Sequence, residues 1–407
     1  MLYAIILISS VPLLLWLLTV KNIKNNPIYY FYYLGCYIFL ILGSFYSLDG
    51  ANRYIRMDVE TNYYVVVILA IVCSFYISVP FLRNSQLSLS GSAFRTKKVL
   101  FIFYFLLFFH VLYVFVYLIN NNVFSYLIMS VSSGGGSDLV SLRTGMFEGG
   151  GGLTTYVFYN MTYYICGLLM LSGINRTSRN VLLLYFFFCT IVFLHKTPII
   201  ILIITMFLSN ALSSEKITYG KTLRLGGVVT FSILVFYVFY FPDRPVDFYL
   251  IDLPDSIFHR ISGVYSETLA YSIYRIESMQ GELLLGTSFP NPLGILPHTP
   301  IYLPRILHTE MMGFPGNMSA PAIAEIYLNF GLLACLMFIF SVPFLIMLIE
   351  KYFSELKVNN VLKTSLVIYV SVMVVSMSQS SLFGTLLEPK NVIIFAIIFI
   401  YIRLKKE

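Results

Sequence analysis

Apolar runs as long as a bilayer is thick recur from one end of this chain to the other. The clearest is VLFIFYFLLFFHVLYVFVYLI at 99–119, and about 20 such residues cross a hydrocarbon core as one helix. In that solvent a backbone must satisfy its own hydrogen bonds, so runs of this length specify α-helices. With 58% of 407 residues hydrophobic and 11% charged, the chain is far from the balance of a soluble domain. The expected fold is all-α: a polytopic integral membrane protein with about 11 transmembrane helices. The spans fall at 2–20, 28–48, 64–82, 99–119, 153–173, 181–194, 198–212, 225–241, 322–349, 364–383 and 389–402.

These spans divide the chain into an N-terminal bundle (1–241, spans 1 to 8), a large loop (242–321) and a C-terminal group (322–407, spans 9 to 11). The first twenty residues have neither a basic leader nor a small-residue cleavage site, so they are expected to stay as a span. Alternating sides from an outside N-terminus puts most of the 26 lysines and arginines in the cytoplasm, among them Lys21, Lys24, Arg83, Lys97, Lys98, Arg176, Arg179, Lys351 and Lys405. The positive-inside rule therefore gives an outside N-terminus and a cytoplasmic C-terminus. Positive charge distributed this way forms no basic stripe, which argues against a nucleic-acid partner. Five cysteines lie scattered in apolar runs without CxxC spacing, as packing residues would.

Two stretches outside the membrane are too long to be mere connectors. The segment 120–152 is rich in glycine around Asp138, Arg143 and Glu148; no GKS or GKT accompanies it, so it is no nucleotide P-loop. The loop 242–321 sets eight carboxylates against four arginines, Arg244, Arg260, Arg275 and Arg305. Within it, HRISGVYSETLAYSIYRIESM (259–279) has helical periodicity and is expected to lie along the membrane surface. At 100° per residue Arg260, Glu267, Tyr271 and Arg275 share one sector beside its apolar face. Arg275, just before the turn QGELLLG, is the first choice for an anion, since a guanidinium stays charged and grips two oxygens at once.

Other candidates are single residues. Lys196 sits in the short HKT link between two spans, where an ionisable group suggests function. Glu325 and Asn329 lie one turn apart where the ninth span begins. His308 joins Glu325 and Glu267 as a candidate base. No histidine stands in a metal-binding spacing and no Asp-x-Asp pair occurs, so no metal or other cofactor is expected and a soluble nucleotide-sugar donor is disfavoured.

Arg275 followed after ten residues by Gly286, the segment AEIYLNFGLLACLMF (324–338), and the basic residue opening HKTPIIILII together resemble the O-antigen polymerase (Wzy) group of repeat-unit polymerases. Arg143 lacks the matching glycine, Thr154 standing in its place, so only its charge and loop position carry over. The resemblance implies a glycosyltransferase in the bacterial inner membrane with a periplasmic N-terminus. Its donor and acceptor would both be undecaprenyl-pyrophosphate-linked oligosaccharides, with a chain-length regulator as a further partner. It implies Arg275, Glu325, Glu267 and His308 as catalytic residues, and Arg260, Arg305, Arg143, Lys196, Tyr271, Gly286 and Asn329 as substrate-binding ones. Two alternatives stay open: an O-antigen ligase acting on lipid A core, although Ala320 stands where a ligase would be expected to have histidine, and a non-enzymatic lipid-linked glycan flippase or transporter.

Overall fold

A computed structural model describes residues 2–48, 61–84, 97–125, 154, 156–192, 196–213, 227, 247, 253–289, 291, 297–313, 318–356 and 360–382. Among them every regular element is helical. In chain order these are α1 (Leu2–Leu18), α2 (Val20–Asn25), α3 (Pro27–Cys36), α4 (Ser44–Leu48), α5 (Thr61–Ser78), α6 (Lys97–Asn120), α7 (Thr162–Leu171), α8 (Arg176–Ile191), α9 (Lys196–Ser213), α10 (Leu253–Phe258), α11 (Val264–Glu277), α12 (Leu303–Met312), α13 (Ala322–Glu355) and α14 (Asn360–Met377). Among the described residues, four stretches are long and apolar enough to cross a membrane: Pro27–Leu48, Thr61–Leu82, Phe103–Asn120 and Ala322–Glu355. Ala4–Leu18, Val157–Leu171 and Lys363–Met377 are apolar but shorter. The expected spans 225–241 (apart from Gly227) and 389–402, and nearly all of the glycine-rich stretch with Arg143, lie outside the described residues.

The chain forms two compact units. The first comprises Met1–Leu87, Leu253–Glu355 and Met373–Glu407. Its core is an aromatic cluster in which Trp16 of α1 meets Tyr29 of α3 edge-on at 5.5 Å and Phe75 of α5 at 5.6 Å. The phenols find serines on α5, Tyr29 at 2.6 Å from Ser78 Oγ and Tyr33 at 2.9 Å from Ser74 Oγ. In lipid, where the solvent is as apolar as leucine, such packing and interhelical hydrogen bonds drive association more than burial does. Proline opens α3 at Pro27, and the donors of its first turn are met from far along the chain. Glu350, on α13 and fully buried, accepts from Ile28 N at 2.8 Å, Tyr29 N at 3.1 Å and Asn26 Nδ2 at 2.9 Å. An orphaned, buried helix start would otherwise be costly.

The second unit comprises Ser88–Asp252 and Leu356–Val372. Here His110 of α6 is buried, its Nδ1 2.8 Å from the Tyr185 hydroxyl of α8 and its Nε2 3.0 Å from the Val157 carbonyl. Since a carbonyl only accepts, Nε2 carries the proton and Nδ1 receives the phenol's. Exposed rings at Phe101, Tyr104, Phe105, Phe108 and Phe115 clothe the rest of α6, as a lipid-facing helix requires.

Four expected helices take a different shape, one of them 153–173, which begins as a π-helical turn at Tyr156–Met161. The stretch 28–48 is interrupted by a π-helical turn, Tyr37–Ile41. The ninth span breaks at Gly331, where φ is 77° and ψ −172°. The surface helix of 259–279 begins earlier, at Leu253, passes through a π-helical turn at His259–Gly263, and continues as α11. It is not an amphipathic helix with one open face: Ser266 to Ile273 are buried in an unbroken row, polar and apolar alike. Its many small hydroxyl residues suit packing on every side, which an apolar-face count alone does not capture.

Candidate functional site

The π-helical turn sets the register of the site. In a plain α-helix residues eight apart lie about 80° out of line, whereas the wider turn brings His259 back over Glu267. Their side chains meet at 2.9 Å, His259 Nε2 to Glu267 Oε1, at 1% and 0% exposure. A Cβ at Gly263, between them, would come within 2.5 Å of the His259 ring, so a glycine is required for the ring to pass. Glu267 Oε2 has no hydrogen-bond partner among the described residues. Nearby, Ser266 Oγ is held by Ser47 and by a short hydrogen bond with the Tyr64 hydroxyl.

Farther along α11 come Tyr271 and Arg275, one turn apart, and both reach one carboxylate oxygen. Arg275 Nε donates to Glu310 Oε2 at 3.0 Å and the Tyr271 hydroxyl donates to the same oxygen at 3.2 Å. Burial, reinforced by the Glu310 charge, holds the Tyr271 phenol well above its ordinary value, so it acts as a neutral donor. Glu310 is delivered by α12, whose Leu303 and Leu307 are buried and which ends on Gly313 at φ +78°. The Arg275 side chain is 21% exposed, yet its Nη1 is buried and has no hydrogen-bond partner among the described residues. A buried charged donor left unpaired is costly, and such groups concentrate where a ligand supplies the missing acceptor.

Just past α11 the chain reverses. Gly281 N donates to Arg275 O at 2.9 Å, and a Cβ at Gly281 would stand 2.7 Å from that oxygen. Gly281 is therefore the glycine that lets the chain close under the arginine. Gly286, the other glycine of that turn, has a positive φ of +89° and does something else. Its N–H donates to Asn329 Oδ1 at 2.8 Å, while Leu284 N and Leu285 N donate to the carbonyls of Leu328 and Asn329 at 3.0 and 3.1 Å. The two stretches singled out separately in the sequence, 275–286 and 324–338, thus join. Glu325 completes the seam, its Oε1 accepting from Ser288 Oγ at 3.1 Å and Ser381 Oγ at 2.8 Å. Asn329 Nδ2 also donates to Ser288 Oγ at 2.8 Å.

Glu325 and Asn329 are fully buried in that seam, which makes them the bracket of the turn. Glu267 is equally closed off, and it partners His259 instead of sharing a groove with Tyr271 and Arg275. His308 is half-buried and Arg305 exposed, both on α12. Arg260 lies in the π-helical turn and Lys196 opens α9 in the other unit, the first helical turn beginning two residues ahead of Pro198. Arg143 lies outside the described residues. Glu310, His259, Ser288 and Ser381 were not foreseen. Only the excess of carboxylates in the 242–321 loop hinted that Arg275 would have a partner there. Among the described residues no group of three or more histidines, cysteines or carboxylates could hold a metal ion. No protein-family model matches the chain, and no curated protein or solved structure matches it.

Proposed function

We propose that this protein is a membrane glycosyltransferase that polymerises undecaprenyl-pyrophosphate-linked oligosaccharide repeat units, as the O-antigen polymerases it resembles do. The observation that carries the reading is the Arg275 guanidinium, anchored at one nitrogen and left with a buried unpaired donor at another. In the reaction the acceptor's hydroxyl oxygen bonds to the donor's anomeric carbon. The carbon–oxygen bond to the pyrophosphate breaks, and its electron pair leaves with the lipid pyrophosphate. Arg275 neutralises the charge that appears there, in a partly dry setting where such stabilisation is strong. The hydroxyl proton goes to a base, and His308, half-buried on α12, is the one of the three candidate bases that is not fully buried.

The same reading takes the chain to have eleven spans in the bacterial inner membrane, with the N-terminus and the 242–321 segment on the periplasmic side. Arg260 and Arg305, in the same unit as Arg275, then add positive charge for the pyrophosphate. The test is polymer length in cells whose own copy is deleted and replaced by variants. Arg275→Ala should remove ladders at normal protein abundance, a loss of about 10²- to 10³-fold in rate. Arg275→Lys should rescue in part, because an ammonium lacks the planar fork. Wild-type ladders from Arg275→Ala would refute the assignment.

A further inference from the structure

A guanidinium offers five N–H donors in a rigid plane and can take an anion on either of two edges. One is the side-on edge of Nε and Nη2, the other the end-on edge of Nη1 and Nη2. In this protein the side-on edge is occupied at Nε by Glu310 Oε2, 3.0 Å away. A phosphate approaching there would meet a carboxylate. The end-on edge carries Nη1, buried and unpartnered among the described residues. Glu310 is itself fixed, because its Oε2 also receives the Tyr271 hydroxyl from one turn back on the helix that bears Arg275. The three side chains form a triangle whose geometry leaves one edge of the arginine for a ligand.

We infer that Glu310 is the positioning residue of the anion site, holding Arg275 by Nε so that the Nη1–Nη2 edge faces the pyrophosphate. This rests on the proposed role of Arg275. A negative charge beside an anion site opposes ground-state attraction while fixing direction, so its removal should separate binding from turnover. Orientation of a catalytic group can account for about 10²-fold in rate, whereas loss of a like charge leaves anion binding equal or tighter.

The experiment pairs two readouts on the full-length protein: ladder growth in cells lacking the native copy, and inorganic pyrophosphate binding to the purified protein in detergent micelles. Glu310→Ala should slow ladder growth about 10- to 100-fold at unchanged abundance, with pyrophosphate binding as tight as wild type or tighter. Glu310→Gln should keep most of the rate, since its amide oxygen still accepts from Nε. In an Arg275→Lys background, Glu310→Ala should cost nothing further, because an ammonium has no edge to orient. Wild-type ladder growth in Glu310→Ala would overturn the inference while leaving Arg275 in place. So would parallel loss of growth and pyrophosphate binding in both Glu310→Ala and Glu310→Gln, the mark of a merely structural contact. If Arg275→Ala keeps its ladders and its pyrophosphate binding, the reading of the site falls and the role of Glu310 falls with it.

Discussion

Gly331 is where a single methyl group should do the most damage for the least volume. Its φ of 77° and ψ of −172° lie in a region that only glycine populates. Space is not the obstacle: a Cβ there would meet only Leu283 Cδ2, at 3.9 Å, an ordinary contact. The cost of Gly331→Ala is therefore conformational, about 2–3 kcal/mol if the backbone holds its shape. If it relaxes towards a regular helix, α13 straightens, and the carbonyls of Leu328 and Asn329 turn back into the helix ladder. Those carbonyls now receive Leu284 N and Leu285 N at 3.0 and 3.1 Å, so relaxation gives up two hydrogen bonds of about 1 kcal/mol each. Either route arrives at about 2–3 kcal/mol, and the second also unseats the turn behind Arg275. The comparison is Gly173→Ala, at φ +66° with open space around it, which should cost about 1–2 kcal/mol and leave the turn alone. Thermal unfolding of the detergent-solubilised variants at one scan rate should place Gly331→Ala a few degrees below Gly173→Ala, with ladder growth impaired only in the former. Equal midpoints and equal ladders would refute the reasoning.

Glu350→Ala would strip the acceptor from three buried donors at the start of α3 and should cost about 3 kcal/mol or more, whereas Glu350→Gln retains one oxygen and should cost less; an alanine variant that melts with the wild type would dismiss the cap. With the exposed Cys73 replaced by alanine, cysteines introduced at Ser256 and Ser354 should react with a membrane-impermeant reagent from opposite sides, and labelling from one side alone would sink the eleven-span topology.

The sequence made the helices legible because a bilayer imposes a length and a polarity that a window of residues reports by itself. Nine of the eleven expected spans fall on described helical segments, from Leu2–Leu18 to Asn360–Met377. Local reading failed where the helix departs from its own period. A 100° step puts Arg260, Glu267, Tyr271 and Arg275 in one groove, but the π-helical turn at His259–Gly263 changes the step just upstream of Glu267. Nothing in those five residues announces that turn, except a glycine whose need shows only once the His259 ring is seen crossing it.

The partners of the candidate site escaped for a second reason, which is distance along the chain. Glu310 lies 35 residues from Arg275, Ser381 lies 56 from Glu325, and Glu350 lies 324 from Asn26. No periodicity links such pairs; they are set by which helices pack, and packing among apolar helices is decided by small residues. Gly43 shows it: a Cβ there would run into the Ser262 carbonyl and lie 2.7 Å from Ser266 Cβ. Gly35 shows it again, with Ser378 Oγ 2.6 Å from where its Cβ would be. These glycines let the segment Pro27–Leu48 lie close against the π-helical turn on one side and the end of α14 on the other. The closeness of those backbones packs the α10–α11 segment against Pro27–Leu48, and a packed segment is what an arginine needs to present one chosen edge. Arg275 thus depends for its orientation on residues that carry no chemistry of their own.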